Sequence, residues 1–426
     1  MTIAAGLILV LLALLGAPLF AVIAGGALLA FYQADTDLAV IAAEFYRLAE
    51  MPMLVAIPLF TFAGYLLSES QAPARLVKLS QALLGWLPGG LAVVSLITCA
   101  FFTAFTGASG VTIVALGALL FPALVQAGYP ERFSLGLITT SGSLGMLFAP
   151  AVPLILYAVI AQQLNVGRSF TIDEMFIAGL LPGLLMLSLL AAWSLWTNRH
   201  LPRHPVSWRE TGAALYAARW ELPLPLIVMG GIYSGYFAVS EAAAVTALYV
   251  LIVEVVLYRE ITLRQLPRIM RDAMVLVGAL LIILGVSLAL TNYFIDADIP
   301  ARIFATVNRY VSDPLTFLLL LNLLLLGLGI LHDISALVIV VPLLLPVAVA
   351  YGIDPVHFGI IFIANMQIGY FFPPLGLNLF IASYRFKKPV MELVRATLPF
   401  LVILLGSVLI ITYWPALSLA LTSKGS

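Results

Sequence analysis

The sequence predicts an all-α polytopic membrane protein, and three observations support that fold class. Of the 426 residues, 63% are hydrophobic and only 9% are charged, whereas an ordinary soluble domain has roughly 25% charged residues. Apolar runs long enough to cross a bilayer recur along the chain. These runs are continuous, whereas membrane β-barrels show short segments of alternating hydrophobicity. The 20 basic and 20 acidic side chains give zero net charge, so we predict no nucleic-acid partner.

The apolar runs predict where the chain crosses the membrane. The N-terminal run MTIAAGLILV has no basic residues, so we interpret it as the start of a first span and not as a cleaved signal peptide. The predicted segments are 3–31, 53–68, 83–105, 111–127, 133–162, 175–197, 224–237, 240–258, 273–294, 315–331, 337–351, 356–384 and 396–421.

Basic residues in the loops predict how these segments are oriented. Loops rich in Lys and Arg stay on the cytoplasmic side of the membrane, and the same rule predicts a cytoplasmic N-terminus. The basic loops, predicted to be cytoplasmic, are 69–80, 199–221, 259–272 and 385–395, while the loops predicted to be external are 33–50, 163–174 and 295–313.

This orientation requires two pairs of segments to enter the membrane and return to the same side. We therefore predict two re-entrant helical hairpins, one opening to each side of the membrane. Irregular backbone at membrane depth is tolerated where it is buried in protein or lines a cavity. The first hairpin has the arms 83–105 and 111–127 and the tip TGASGVT, and the second has the arms 315–331 and 337–351 and the tip LHDIS.

An internal repeat relates the two hairpins and the long segments that follow them. A shift of 224 residues aligns glycines, prolines and a phenylalanine in register. Because the first unit runs outward and the second inward, the repeat is inverted, which is typical of secondary transporters. The aligned pairs are Pro122 and Pro346, Gly128 and Gly352, Gly145 and Gly369, Phe148 and Phe372, and Pro150 and Pro374.

The repeat divides the chain into predicted parts. We expect a transport domain made of the two repeats, with the remaining helices as a scaffold. The predicted parts are scaffold helices 1–80, repeat one 81–162, connecting helices 163–310, repeat two 311–384 and a C-terminal helix 385–426.

Both long segments are interrupted by polar and helix-breaking residues at matching depth. The interruptions read TTSGSLGMLFAPAVP and ANMQIGYFFPPLGLN. Freed backbone carbonyls can hold a dehydrated Na⁺, and helix N-termini favour an anionic group. Plain packing kinks are the alternative. In these breaks, Ser141 and Ser143 align with Asn365 and Gln367.

Other polar residues inside apolar segments allow two interpretations each. Asn322 could serve the site or simply bond a neighbouring helix. His332 and Asp333 at the second tip form a functional pair or a merely solvated one. Glu254 lies near Arg259 at a segment end, where snorkelling or an ordinary helical ion pair explains it.

The sequence does not predict an enzyme. Residues 107–110 fit the G-x-S-G pattern of intramembrane serine proteases, with Ser109 as nucleophile and His332 or His357 as base. The pattern is short, and a protease leaves the repeat unexplained. The chain has neither HExxH nor GxxxxGK[ST], so neither a membrane metalloprotease nor direct use of ATP is indicated.

The motifs resemble one known family. FFTAFTGASGVT, PALVQAGYPERFSLGLITTSGSLG and GIDPVHFGIIFIANMQIGYFFPPLGLNLFIAS resemble the large membrane subunit of tripartite ATP-independent periplasmic (TRAP) transporters, over essentially the whole chain. The resemblance implies Na⁺-driven uptake of an organic acid across the bacterial inner membrane. A periplasmic binding protein would deliver the acid, a small four-helix membrane subunit would complete the complex, and the transport domain would move like an elevator.

The resemblance also implies site residues, with Na⁺ as the transported ion and no organic cofactor. Most ion ligands would be backbone carbonyls. Na⁺ site 1 would comprise Thr106, Ser109, Gly145, Phe148 and Pro150; Na⁺ site 2 would comprise Gly329, His332, Ser335, Gly369, Phe372 and Leu375. From the polar pairs of the two breaks, we also predict that the substrate contacts Ser141, Ser143, Asn365, Gln367, Pro374 and Asn378.

Two further alternatives remain open from the residues. A stand-alone carrier of the divalent-anion or citrate type would share the hairpins and need no binding protein, but its Ser-Asn-Thr tip motif is absent. A membrane scaffold without transport activity does not explain polar breaks in both halves.

Overall fold

The computed structural model describes residues 2–201, 207–329, 333–373 and 375–422, and these residues form α-helices and connecting turns without a β-strand. The predicted all-α fold class is confirmed. Within this part of the chain, six helices are long and apolar enough to cross a membrane, or seven if one bent pair is a single span.

The N-terminal part corrects the predicted first span. Segment 3–31 is two helices, because Gly16 has a φ of +87° and Pro18 has no N–H to donate. The predicted loops 33–50 and 69–80 each contain a helix as well. The helices are α1 (Thr2–Leu14), α2 (Leu19–Gln33), α3 (Ala39–Ala49), α4 (Ala56–Glu69, preceded by a 3₁₀ turn at Pro52–Val55) and α5 (Ala72–Leu84).

The first repeat is a helical hairpin followed by a broken helix, as predicted. The first hairpin arm has 17 residues, which is short of the roughly 20 needed to cross a bilayer. The elements are α6 (Gly90–Thr106) and α7 (Ser109–Gln126) for the hairpin, and α8 (Glu131–Ser141), a 3₁₀ turn (Leu144–Leu147) and α9 (Val152–Leu164) for the broken helix.

The connecting part contains helices in stretches that were predicted to be loops. The predicted loops 199–221 and 295–313 each contain a helix, and the predicted spans of this region are helical. The elements are α10 (Ile172–Thr197), α11 (Trp208–Ala217), α12 (Pro223–Tyr233), α13 (Val239–Leu251, continued by a π-helical turn at Ile252–Leu257), α14 (Leu266–Asp296) and α15 (Ile299–Asn308).

The second repeat has the same order of elements as the first. The last predicted segment, 396–421, is divided at Trp414 and Pro415 because the proline cannot continue the helix. The elements are α16 (Pro314–Leu328) and α17 (Asp333–Ala350) for the hairpin, α18 (Pro355–Gly369) and α19 (Leu377–Phe386) for the broken helix, and then α20 (Val390–Tyr413) and α21 (Ala416–Leu419).

Helix bounds confirm the repeat at the level of structure. Three helices of the first unit and their counterparts in the second begin 224 residues apart, which is the shift that aligned the sequence. The pairs of first residues are Gly90 and Pro314, Ser109 and Asp333, and Glu131 and Pro355.

The repeats pack against a group of helices that we call the frame, defined as α4, α13 and α14. Helix α4 packs on α13, α14 and the hairpin arm α6, while α14 also packs on α2, α3 and α17. Helix α20 packs on α8 and α18, and α10 packs on α6, α18 and α20. The predicted domain boundaries remain predictions.

A buried charge cluster joins α5 to the end of the frame helix α13. Arg75 forms ion pairs with Glu221 and Glu260, and its Nη2 lies 3.5 Å from Glu254 Oε1. Burial lowers the pKa of Arg75, but bonds to Glu260 and Glu221 outweigh it and raise that pKa above its ordinary value. Glu254 is fully buried and pairs with Arg75, so neither interpretation offered for it, snorkelling or a local ion pair with Arg259, is correct.

A second cluster joins the start of α10 to the start of α18. Arg168 Nη2 lies 2.6 Å from Glu174 Oε1, and its Nε lies 2.5 Å from Asp354 Oδ2. The hydrogen bond to Glu174, followed by the one to Asp354, raises the pKa of Arg168 above its ordinary value. Asp354 also caps α18 by accepting the Val356 N–H at 2.8 Å, so one cluster fixes three chain segments.

Candidate functional site

The tip of hairpin 1 is a two-residue link between α6 and α7. Gly107 adopts a left-handed conformation with φ +64°, and its N–H donates to the Thr103 carbonyl at 2.9 Å. A Cβ at Gly107 would lie 2.8 Å from Val152 Cγ2 at the start of α9. Glycine is therefore required both by its φ and by the close approach of the broken helix.

The first break packs directly on the arm α6. A Cβ at Gly145 would lie 2.5 Å from the Ala104 nitrogen and 2.6 Å from Thr103 Cβ. Thr103 Oγ1 donates to the Gly142 carbonyl at 2.9 Å and lies 2.7 Å from Thr112 Oγ1. Thr103 and Thr112 thus connect both hairpin arms and the break. The sequence analysis did not identify them, although Thr112 is the last residue of TGASGVT and Thr103 precedes that motif by a few residues.

The residues predicted for Na⁺ site 1 lie on both sides of this contact between hairpin 1 and the first break. Thr106 and Ser109 are buried at the tip, and Pro150 is buried in the break. The Gly145 carbonyl accepts the Phe148 N–H at 3.0 Å, and the Phe148 carbonyl accepts the Ala151 N–H at 2.9 Å. Each carbonyl oxygen has a second lone pair, so both can still contribute to an ion site.

The second break repeats the close packing of the first. A Cβ at Gly329 would lie 2.7 Å from the Gly369 Cα, so the structure brings these two predicted residues of Na⁺ site 2 together. The Gly369 carbonyl accepts the Phe372 N–H at 3.2 Å, and Leu375 is exposed.

Some predicted site residues fall where little or nothing is described. His332 and Pro374 lie outside the described residues. Ser335 lies in the first turn of α17. For these three residues the predicted roles stay predictions.

The polar residues of the breaks bond across the two repeats and to neighbouring helices. Ser143 Oγ donates to the Gln367 carbonyl at 2.8 Å, and Gln367 Nε2 lies 2.7 Å from Met186 Sδ. Asn365 Nδ2 donates to Asn322 Oδ1 at 2.6 Å. Among the described residues, the side-chain oxygens of Asn365 and Gln367 have no partner.

Asn322 bonds a neighbouring helix, whereas Ser141 bonds its own helix. Asn322 Nδ2 donates to Thr412 Oγ1 at 3.1 Å, so it bonds a neighbouring helix as well as the break. Ser141 Oγ donates to the Ile138 carbonyl of its own helix at 3.3 Å.

Asn378 connects the second break to the tip of hairpin 1. It accepts a hydrogen bond from Ser109 Oγ at 2.8 Å through Oδ1, and its Nδ2 donates to the Thr139 carbonyl at 3.4 Å. Its backbone N–H donates to the Tyr370 carbonyl at 2.7 Å. Residues of both repeats therefore meet at the tip.

A cavity of about 190 Å³ lies between this tip and the frame. Its described lining contains no charged side chain, and the first residues of α7, α9 and α19 contribute to it. The first N–H groups of a helix have no partner within that helix and carry a partial positive charge. Such a cavity can accept an anionic group through backbone N–H groups alone. The residues that line this cavity include Thr61, Thr106, Ser109, Val152, Leu280 and Leu377.

The geometry does not assemble a protease from Ser109 and His357. Ser109 Oγ is engaged by Asn378, whereas His357 Nδ1 lies 3.1 Å from Ser418 Oγ and its Nε2 lies 3.2 Å from the Thr412 carbonyl. His357 is therefore a buried residue of the α18–α21 packing and not a base for Ser109.

Two related units, each with a hairpin and a broken helix, form the architecture of membrane transporters with an internal repeat. The chain belongs to the family of the DctM component of tripartite ATP-independent periplasmic transporters, whose sequence model matches residues 6–417. The predicted resemblance is confirmed. The chain is thus a polytopic membrane component of a transporter.

Individual proteins support this assignment. The C4-dicarboxylate TRAP transporter large permease protein of Rhodobacter capsulatus is 35% identical over 92% of this chain and 91% of its own length. The ectoine/5-hydroxyectoine TRAP transporter large permease protein of Ruegeria pomeroyi is 31% identical over 97% of both chains. The crystal structure of the Alcanivorax borkumensis YdaH transporter shares the fold, with a TM-score of 0.62 and 16% identity over 88% of this chain and 87% of that chain.

Proposed function

We propose that this chain carries a small organic acid into the cell together with Na⁺. The observation that carries the proposal is the cavity at the hairpin 1 tip, where three helix N-termini converge and no described lining residue is charged. The chemistry of such a site favours a carboxylate. The similar permeases are named for C4-dicarboxylates and ectoines, and all of these compounds carry carboxylates.

Na⁺ would bind where the breaks pack on the hairpin arms. Site 1 would use Thr106, Ser109, Gly145, Phe148 and Pro150, mainly through carbonyl oxygens. Site 2 would use the turn at Gly329 and the tip up to Ser335, including His332, together with Gly369, Phe372 and Leu375. The backbone contact between the Gly329 and Gly369 region supports site 2, because only glycines allow carbonyls of two chain segments to approach one ion so closely.

The two repeats would move together against the frame as an elevator. Hydrogen bonds between the repeats, such as those from Ser143 to Gln367 and from Ser109 to Asn378, support a single moving body. Substrate contacts would come from Ser141, Ser143, Asn365, Gln367, Pro374 and Asn378 as the tip closes. Ion and substrate binding would permit the movement, so a half-loaded carrier would not cross productively.

The chain would work in the bacterial inner membrane with two partners. A periplasmic binding protein would deliver the acid, and a small four-helix membrane subunit would complete the complex, with the N-terminus of this chain in the cytoplasm. The description of the family as a component of a tripartite transporter supports this assembly.

Uptake in proteoliposomes tests the proposal. The chain and its small subunit are reconstituted, and a panel of radiolabelled organic acids is offered with or without an inward Na⁺ gradient and with or without the binding protein. We expect uptake that requires both. Uptake that needs Na⁺ but no binding protein would identify a stand-alone carrier, and binding-protein-dependent uptake without Na⁺ would refute the ion coupling.

A further inference from the structure

The frame contributes one wall of the cavity at the hairpin 1 tip. Helices α4 and α14 form this wall, and Thr61 on α4 is the only polar residue that they contribute to the described lining. The other residues that these two helices contribute to the lining are apolar, such as Leu276 and Leu280. A polar group on an otherwise apolar wall commonly fixes the orientation of a ligand.

Within the described part of the chain, the hydroxyl of Thr61 has no hydrogen-bond partner, whereas the hydroxyls of Thr106 and Ser109 each have one. Ser109 Oγ donates to Asn378, and Thr106 Oγ1 accepts the Ala108 N–H at 3.5 Å. Thr61 is only 1% exposed, yet its hydroxyl bonds no residue in the described part of the chain. A helical threonine often bonds the carbonyl four residues earlier, whereas Thr61 lines the cavity and its hydroxyl can bond a molecule there.

Helix α4 is held against hairpin 1 close to Thr61. One turn further along, a Cβ at Gly64 would lie 2.5 Å from the Phe105 carbonyl oxygen and 2.6 Å from the Thr106 Cα. The backbones of α4 and α6 are therefore in direct contact at the tip. This contact fixes the position of the Thr61 hydroxyl relative to the first turn of α7.

We propose that Thr61 is a specificity-determining residue whose hydroxyl hydrogen-bonds a second polar group of the transported acid. The inference rests on the proposed function and narrows the substrate to a compact acid with a second carboxylate or a hydroxyl group. The acid's first carboxylate binds at the N-termini of α7, α9 and α19. The cavity of about 190 Å³ is smaller than the roughly 300–1,000 Å³ pockets of drug-sized ligands. A threonine hydroxyl both donates and accepts, so it suits either second group.

Ligand titrations of the purified complex test this role. The permease with its small subunit is titrated in Na⁺ with succinate, or with the acid that the uptake panel identifies, and with the monocarboxylate of equal length, which is butyrate for succinate. The dissociation constants are obtained from the ligand-dependent rise in unfolding temperature. Thr61→Val removes the hydroxyl at nearly constant shape, and Thr61→Ser keeps it. The matched control is Thr246→Val, because Thr246 is a buried frame threonine whose hydroxyl donates to the Ala242 carbonyl.

We expect Thr61→Val to weaken binding of the two-group acid about 3- to 10-fold, which corresponds to one lost hydrogen bond. Binding of the monocarboxylate should not change, and Thr61→Ser and Thr246→Val should bind like the wild type. Unchanged binding of the two-group acid by Thr61→Val would overturn the inference and leave the proposed function standing. A wild-type complex that neither binds nor transports any acid of the panel would refute the proposed function, and the inference with it.

A labelling experiment applies if Thr61→Val does not fold. The chain has one cysteine, Cys99, which is buried. We therefore expect little labelling of the wild type, and Thr61→Cys introduces the thiol that is tested. We expect a small methanethiosulfonate reagent to label Thr61→Cys and the two-group acid to slow that labelling. A labelling rate that the acid leaves unchanged would contradict the proposal.

Discussion

Ser143 Oγ donates a hydrogen bond of 2.8 Å to the carbonyl oxygen of Gln367, and the two residues stand 224 positions apart. The same shift aligns the two repeats, so each residue bonds its own counterpart in the other unit. Both side chains are buried, at 0% and 1% exposure. A polar group freed by a break in one repeat is thus satisfied by the break in the other, which couples the two units at the centre of the fold.

Removal of this bond should weaken the coupling of the repeats. In Ser143→Ala, the buried Gln367 carbonyl loses this donor, which costs about 1–3 kcal/mol. We expect a lower unfolding temperature of the purified complex and slower uptake. Ser407→Ala is the control, because Ser407 is equally buried but bonds the Ile403 carbonyl of its own helix. Equal effects of the two substitutions on unfolding temperature and uptake would show that the bond between the repeats contributes no more than a bond within one helix.

The glycine contact at the second break should be essential for transport. A Cβ at Gly369 would lie 2.7 Å from the Gly329 carbonyl oxygen, so Gly369→Ala must push α18 away from hairpin 2. We expect uptake to fall on the order of 100-fold, because displacements of about 1 Å have effects of that size at functional sites. Gly406→Ala on α20 is the control, since a Cβ there would meet nothing within 4 Å. Normal uptake by Gly369→Ala would refute the required close packing.

The bond between Ser109 and Asn378 should couple hairpin 1 to the second repeat. A double-mutant cycle with Ser109→Ala and Asn378→Ala, read by unfolding free energy and by uptake, isolates the interaction. We expect a coupling of about 0.5–1.5 kcal/mol, as for a neutral buried hydrogen bond. Ser95→Ala with Asn378→Ala is the control pair, because Ser95 bonds the Leu91 carbonyl of its own helix. Additive effects of Ser109→Ala and Asn378→Ala would contradict the coupling.

The Arg75 cluster should stabilise the contact between α5 and the frame. Arg75→Met leaves the fully buried Glu254 carboxyl without its cation, and breaking one partner from a buried pair costs about 3–5 kcal/mol. We expect a marked fall in unfolding temperature and a partial recovery in the double variant Arg75→Met, Glu254→Gln. Arg268→Met is the control, because Arg268 is 60% exposed and its ion pairs lie at the surface. A double variant no more stable than Arg75→Met would exclude Glu254 as the source of the cost.

Sequence reasoning found the elements that depend on local composition. Continuous apolar runs predicted most of the long helices, and glycines and prolines in register predicted the repeat that the helix bounds confirm. It missed the helices in the basic and external loops, such as α5 and α15, because amphipathic helices have no continuous apolar run. Sequence reasoning also predicted 3–31 and 396–421 as single segments. In each, a proline separates two helices without interrupting the apolar run.

Within the site, the sequence could not predict which residues would be hydrogen-bond or ion-pair partners. The polar breaks were predicted, but both interpretations of Glu254, snorkelling and a local ion pair, were wrong because its cation, Arg75, is distant in the chain. Thr103 and Thr112 were missed because a threonine in an apolar run has the same sequence signature whether it bonds its own helix or another.

The sequence by itself determined the membrane class, the repeat and the positions of the breaks, since these follow from hydrophobicity, helix-breaking residues and periodic correspondence along the chain. Only the tertiary structure decided which polar groups meet, such as Ser143 with Gln367 and Ser109 with Asn378. It also decided that Thr61 lines a cavity and that its hydroxyl bonds none of the residues that the structure describes. The physical reason is that a hydrogen bond forms only when two atoms lie within a few ångströms, even between residues hundreds of positions apart, whereas helix formation depends on neighbours along the chain.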